Sequence, residues 1–148
     1  MGEDQQPGGR FDPFSKLLRL PWSTREFIDR IVSGSVNQSG RRTLYMLFTT
    51  WDIAGGGPFA ASAVASSGIA KTVDIVEKSL TVPILTPLLK RLGADNVKLR
   101  ASLCASQLVG LGIMRYAVRS EPIHSMDVDT LVDAVAPTMQ RYLTGDLS

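Results

Sequence analysis

His124 is the one histidine in the 148-residue chain, so a Ser-His-Asp device would have to be built on it alone. It follows Pro122 in the loop S-E-P-I-H-S-M, and general-base work needs an imidazole held by a third group and aimed at a nucleophile. An exposed loop residue is the simpler reading. Cys104, the one cysteine, lies in the uncharged stretch Ala101 to Met114 with no basic residue beside it to lower its pKa. It reads as a buried, inert thiol. Asp127, Asp129 and Asp133 have the oxygen chemistry of a cation site, but they open a helix, where carboxylates favour the positive end of the dipole, and no His or Cys joins them. The expectation is no catalytic residue, no metal ligand and no cofactor, hence not an enzyme.

What remains is non-covalent chemistry. Phe48, Trp51, Phe59, Leu80 and Met114 are bulky and mostly apolar, and Gln107 is one amide in an otherwise apolar helix. Apolar walls with a few placed polar groups are how small-molecule pockets are built, so these six are candidate ligand-binding residues for a small apolar or amphipathic effector. The same six serve equally to fill a core. Arg115 and Tyr116 are further pocket groups, or Arg115 pairs with a local carboxylate such as Glu121.

The elements that must position these residues are helical. Phe11 to Leu20 predicts a short helix packed by Phe14, Leu17 and Leu18 and closed by Pro21. Ser23 or Thr24 caps the next, whose stripe is Phe27, Ile28, Ile31 and Val32 until Gly34. After the loop S-G-S-V-N-Q-S-G, a helix from about Arg41 to Asp52 turns Leu44, Leu47, Phe48 and Trp51 inward. Gly55-Gly56-Gly57-Pro58 breaks the chain; it lacks the Gly-Lys-Ser/Thr ending of a phosphate loop and reads as a connector. A short helix of small side chains ends at Gly68, and a longer one, Ile69 to Leu92, carries the stripe Ile69, Val73, Val76, Leu80, Ile84 and Leu88. Pro83 and Pro87 lie inside that pattern and predict a kink, which opens space between helices. Gly93 stops it, Asp95 or Asn96 starts a central helix, and Asp127 caps a last one with the stripe Val128, Leu131, Val132, Val135, Met139 and Tyr142 despite Pro137. No alternating run suggests a strand, so the fold class is all-α.

The central stretch, Ala101 to Pro122, organises the rest. From Ala101 to Met114 it has no polar side, and a helix apolar all round must be covered on more than one face. One small domain covers one face, and a partner copy is the simplest cover for the other. Ala101, Ala105, Leu108 and Gly112 form a mostly small-residue face where another backbone can come close, the candidate dimer interface. Leu99, Leu103, Gly110 and Met114 lie on a different face, toward the chain's own core or a ligand.

Length and a 44% apolar content suit a single domain over residues 11–148 behind a disordered lead-in, residues 1–10. Sixteen basic and fourteen acidic residues give a net charge of +2, with the basic ones scattered and adjacent only at Arg41-Arg42 and Lys90-Arg91. That is weak ground for nucleic-acid binding. A single cysteine, a polar start and an uncharged stretch shorter than the roughly 20 residues of a membrane span point to a soluble protein of a reducing cytoplasm.

Gln107-Leu108-Val109-Gly110-Leu111-Gly112, then Arg115-Tyr116, Glu121-Pro122 and Ala136-Pro137-Thr138-Met139-Gln140-Arg141-Tyr142-Leu143 resemble the end of the C-terminal regulatory domain of TetR-type transcriptional regulators. Similarity runs from about Trp22 to Gly145. The resemblance implies a helical bundle that binds an effector and forms a homodimer, its last two helices pairing with their copies in a four-helix bundle, which adds Leu131, Val135 and Met139 to the interface. The family's N-terminal helix-turn-helix domain is not recognised before residue 11. Direct operator binding by this chain is therefore not expected, and a heterodimer with a full-length regulator becomes a further partner. The readings of a different class are a small helical carrier or enzyme with an apolar pocket, and a structural dimer with a filled core.

Overall fold

The computed structural model describes residues 11–148; the expected lead-in at 1–10 lies outside the described residues. Helix α1 (Pro13–Leu17) is opened by Asp12, whose Oδ1 accepts from the Ser15 amide at 2.9 Å while the Ser15 hydroxyl accepts from the Asp12 amide at 3.0 Å. The other carboxylate oxygen of Asp12 accepts from the amide and hydroxyl of Thr24, tying α1 to the start of α2 (Thr24–Val32). Ser23 caps α2 by accepting from the Glu26 amide at 3.1 Å, and Phe27, Ile28 and Ile31 are buried as the stripe predicts. Leu18 is buried too, whereas Phe14 is exposed.

Helix α3 (Ser39–Ile53) begins two residues before the expected Arg41. Its early start has a donor's explanation: Gln140, from the last helix, accepts from the Gly40 amide at 2.7 Å, and its own amide donates to Val36 O at 3.0 Å across a 3-10 turn (Val36–Gln38). The α3 stripe Leu44, Leu47, Phe48 and Trp51 is inward, each residue at most 1% exposed. Gly55, Gly56 and Gly57 then take φ of 67°, 109° and 56°, a left-handed turn that only glycine makes cheaply. It lowers Pro58 and Phe59 (in the 3-10 turn Gly57–Phe59) into the interior.

After the short α4 (Ala61–Ser67), α5 (Ile69–Leu80) continues through a π-helical turn (Thr81–Leu85) into α6 (Thr86–Arg91). Pro83 sits in the widened turn and Pro87 in the first turn of α6, so the expected kink is absorbed by a π-turn that accommodates the missing donor. The stripe is buried from Val76 to Leu88, while Ile69 is exposed at its start.

Helix α7 (Val97–Gly112) runs on through a second π-turn (Ile113–Ala117), and α8 (Val128–Thr144), capped by Asp127, packs against α3 more extensively than any other pair of elements. Together α7 and its π-turn give an apolar run, Val97–Ala117, long enough to cross a bilayer, longer than the uncharged core of the sequence suggests. Its inner face, however, is covered by the protein's own helices, and Arg100 and Arg115 are buried with partners near its two ends. A core helix passes the same test of length and composition. No strand occurs among the described residues, and the fold is all-α.

The face of α7 expected to meet a partner is instead the core face. Ala101, Ala105 and Leu108 are 0% exposed within the protomer, and Gly112 is buried against Phe59. A Cβ on Gly112 would lie 2.2 Å from Cε2 of that ring. Leu131 and Met139 of α8 are likewise buried, and Val135 is half-buried. The physical reason is the one that suggested a partner, since small side chains let something bulky approach the backbone; the approaching group is the chain's own Phe59. Leu99, Ser102, Ser106, Gly110 and Met114 form the exposed side, with Leu103 and Gln107 half-buried between them.

Gly112→Ala should therefore destabilise the protein by about 1–3 kcal/mol through overpacking, although alanine gains about 1 kcal/mol of helix propensity. Urea unfolding measures this, and an unchanged or raised midpoint would mean that Phe59 gives way without cost.

Candidate functional site

Three of the six candidate ligand residues meet in one aromatic cluster. Phe48 and Trp51 pack edge to face with centroids 5.2 Å apart, Trp51 and Phe59 likewise at 5.3 Å, and Tyr116 stacks on Phe48 at 6.2 Å. The Trp51 indole N–H donates to Leu18 O at 2.9 Å, which satisfies its one polar atom. Phe48, Trp51, Phe59 and Leu80 are each 0% exposed. They pack the interior, and none of them borders the cleft or the cavity described below. Gln107 and Met114 are placed apart from them, on the outer side of α7.

Beside the cluster lies a polar node that local sequence does not announce. Arg115, in the π-turn after α7, donates from Nε and Nη2 to the two carboxylate oxygens of Asp52 at 3.1 and 2.9 Å, a bidentate pair joining residues 63 apart. Its remaining Nη1 donates to the carbonyls of Ile123 and Met126 at 2.9 and 2.7 Å, which fastens the loop before α8. The Tyr116 hydroxyl donates to Asp52 as well. The partner of Arg115 is thus Asp52 and not Glu121, which accepts from Ser125. Burial raises the Asp52 carboxyl, but the hydrogen bonds from Arg115 and Tyr116 and the guanidinium charge outweigh it, holding its pKa below the ordinary carboxylate value. Burial, followed by the hydrogen bond to Asp52, pushes the Tyr116 hydroxyl well above the usual phenol range.

Arg100 plays the matching part at the other end of α7. It is 5% exposed, pairs with Asp95 at 3.0 Å, and donates to the carbonyls of Arg141, Tyr142 and Gly145, so it caps the C-terminus of α8. One signal of both roles is in the sequence: Arg100, Cys104, Leu108 and Arg115 recur on one side of the helix, in register with the buried face.

His124 is exposed and its Nδ1 lies 2.7 Å from Arg115 O, a contact that orients the ring. Cys104 is fully buried, and burial pushes its thiol up to about 12, far from a reactive thiolate. Asp133 and Asp129 face Arg41 at 3.0 and 3.8 Å, so two of the three carboxylates at the start of α8 serve the α3–α8 contact. Arg42 donates to Ile31 O and Ser35 O, and Arg91 pairs with Asp29. The basic pairs are spent largely inside the protein. At the bend, Thr24, Arg25, Ile28, Pro83, Pro87 and Arg91 border an open cleft of about 280 Å³.

The family described as tetracyclin repressor-like, C-terminal domain, matches residues 37–143. No match is found among curated proteins or among solved structures. The matched span contains the whole node, from Asp52 to Met126, all of α7 and all but the last residue of α8, the two helices that carry the expected interface.

Because the folded pKa of Asp52 lies below the unfolded value near 3.9, the node stabilises the protein above that pH and its contribution is lost as pH falls through the lowered pKa. Asp52→Asn should cost about 1–3 kcal/mol at neutral pH and flatten the decline of stability below about pH 4. Urea unfolding of both proteins from pH 7 to pH 3 checks it; parallel curves would remove the node from the acid response.

Proposed function

The chain belongs to the tetracyclin repressor-like family through its C-terminal domain, and from that premise we propose that it is the effector-binding and dimerisation module of a TetR-like transcriptional regulator acting in the cytoplasm. Domains of this family generally dimerise and bind small-molecule effectors. The proposed role is recognition and assembly, not catalysis.

One observation carries the dimerisation part. The outer side of α7 presents Leu99, Ser102, Leu103, Ser106, Gln107, Gly110 and Met114, an uncharged face the length of the helix. A glycine inside a helix costs about 1 kcal/mol relative to alanine, and a Cβ at Gly110 would meet nothing within 4 Å in this chain. Its absence of a side chain is useful to something outside the protomer. A second α7 crossing at Ser102, Ser106 and Gly110 supplies the reason, flanked by exposed Ala134 and Thr138 and half-buried Val135 of α8. The interface thus moves to the opposite side of α7 from Ala101, Ala105, Leu108 and Gly112. The filled aromatic core favours one second reading, a dimer that takes no effector.

Light scattering on the wild type and on Gly110→Arg tests the assignment. The wild type should have the mass of a dimer and the variant that of a monomer, with unchanged helical circular dichroism. A monomeric wild type, or a variant that stays dimeric, would overturn it.

A further inference from the structure

Between α1, the glycine turn, α4 and α5 lies a cavity of about 260 Å³ that none of the six sequence candidates borders. Leu17, Pro58, Ala63, Ile75 and Val76 give it apolar walls, Lys16 and Arg19 bring two cations, and Ser67 and Thr72 bring hydroxyls. Resting on the effector reading above, we propose that this cavity is the effector site and that its occupant is a small monoanionic carboxylic acid with an apolar body.

The polar groups point to a ligand because the protein leaves them unused. Thr72 is 5% exposed and lines the cavity, and among the described residues its hydroxyl makes no hydrogen bond. A helical threonine or serine ordinarily donates to the carbonyl four residues back; Thr43 does so to Ser39 O and Ser79, on the same helix as Thr72, to Ile75 O, both at 2.8 Å. Among the described residues no buried side-chain oxygen lacks a partner, so the Thr72 hydroxyl is open to the cavity, where a bound carboxylate oxygen can accept from it. Lys16 and Arg19, which line the cavity, are exposed, and among the described residues neither forms a salt bridge, so both charges are available to an incoming anion. Arg19 is held there at φ 59°, a backbone conformation unfavourable to any side chain but glycine's.

Charge and size narrow the class. No carboxylate lines the cavity, so an anion enters a wholly cationic setting, and the apolar walls favour an organic body over an inorganic ion. The volume falls below the roughly 300–1,000 Å³ of sites for drug-sized molecules, which restricts the occupant to a single ring or a short branched or linear chain.

The test is thermal unfolding of the intact chain with benzoate or octanoate, against benzyl alcohol and inorganic phosphate as controls. A carboxylate that binds only the folded state raises the melting temperature in a saturable way; the alcohol and phosphate should not. Arg19→Gly removes the cation and relieves the positive φ, so the fold is kept while apparent affinity for the carboxylate falls about tenfold. Thr72→Val, which keeps the shape and removes the hydroxyl, should lower it similarly. No shift with either carboxylate, an equal shift with benzyl alcohol or with phosphate, or full affinity in both variants would overturn the proposal. Mass measured on the same samples separates the two readings: a dimer without a shift overturns the cavity alone, and a monomer that binds carboxylate overturns the regulatory module alone.

Discussion

The edge of the Phe59 ring lies against the backbone of α7 at Gly112, and this contact decides how the longest apolar surface of the chain is used. A helix without a polar side has no preferred rotation of its own. Once one aromatic ring requires one glycine, the rotation is set: Ala101, Ala105 and Leu108 follow Gly112 into the interior, and Ser102, Ser106 and Gly110 follow each other out. Phe59 is itself delivered by three consecutive left-handed glycines and seated on Trp51. The glycine turn and the α7 glycine are therefore two halves of one device.

Two arginines hold α7 once it is turned. Arg100 and Arg115 sit near opposite ends of the helix, each almost fully buried and each divided between one carboxylate and several backbone carbonyls. Burying a charge is costly unless it is paired and its donors are used, and here both conditions hold. The carbonyls they serve belong to other elements, the end of α8 in one case and the loop before it in the other. The inner side of α7 is thereby fixed to α3 and α8, while Ser102, Ser106 and Gly110 keep its outer side uncharged and exposed. The proposed dimer uses both properties, a fixed inner side and an exposed outer one.

Where polar and apolar residues contrast, the sequence was easy to read. Ser23 with the Phe27, Ile28 and Ile31 stripe, Asp127 with α8, and the proline-marked bend in α5–α6 follow from local chemistry alone. α7 resisted for the opposite reason: small residues mark both of its faces, and only the distant Phe59 distinguishes them. The Asp52–Arg115 pair spans 63 residues and was hidden behind a nearer carboxylate, Glu121. Residue types alone do not tell a wall from a filling, which is why Phe48, Trp51 and Phe59 served as pocket candidates. The cavity at Lys16, Arg19 and Thr72 draws on four separate segments whose proximity exists only in three dimensions.

Trp51 links these regions optically. Its indole is buried in the aromatic cluster and donates to the carbonyl of Leu18, the residue between Leu17 and Arg19, both of which border the α1 cavity. The chain's other described tryptophan, Trp22, stacks on Phe27 under the guanidinium of Arg30. A shift of the α1 end changes the acceptor of the Trp51 indole directly, whereas the ring contacts of Trp22 are made to α2. Trp51 is thus a built-in fluorophore whose hydrogen bond ends on the segment that borders the cavity.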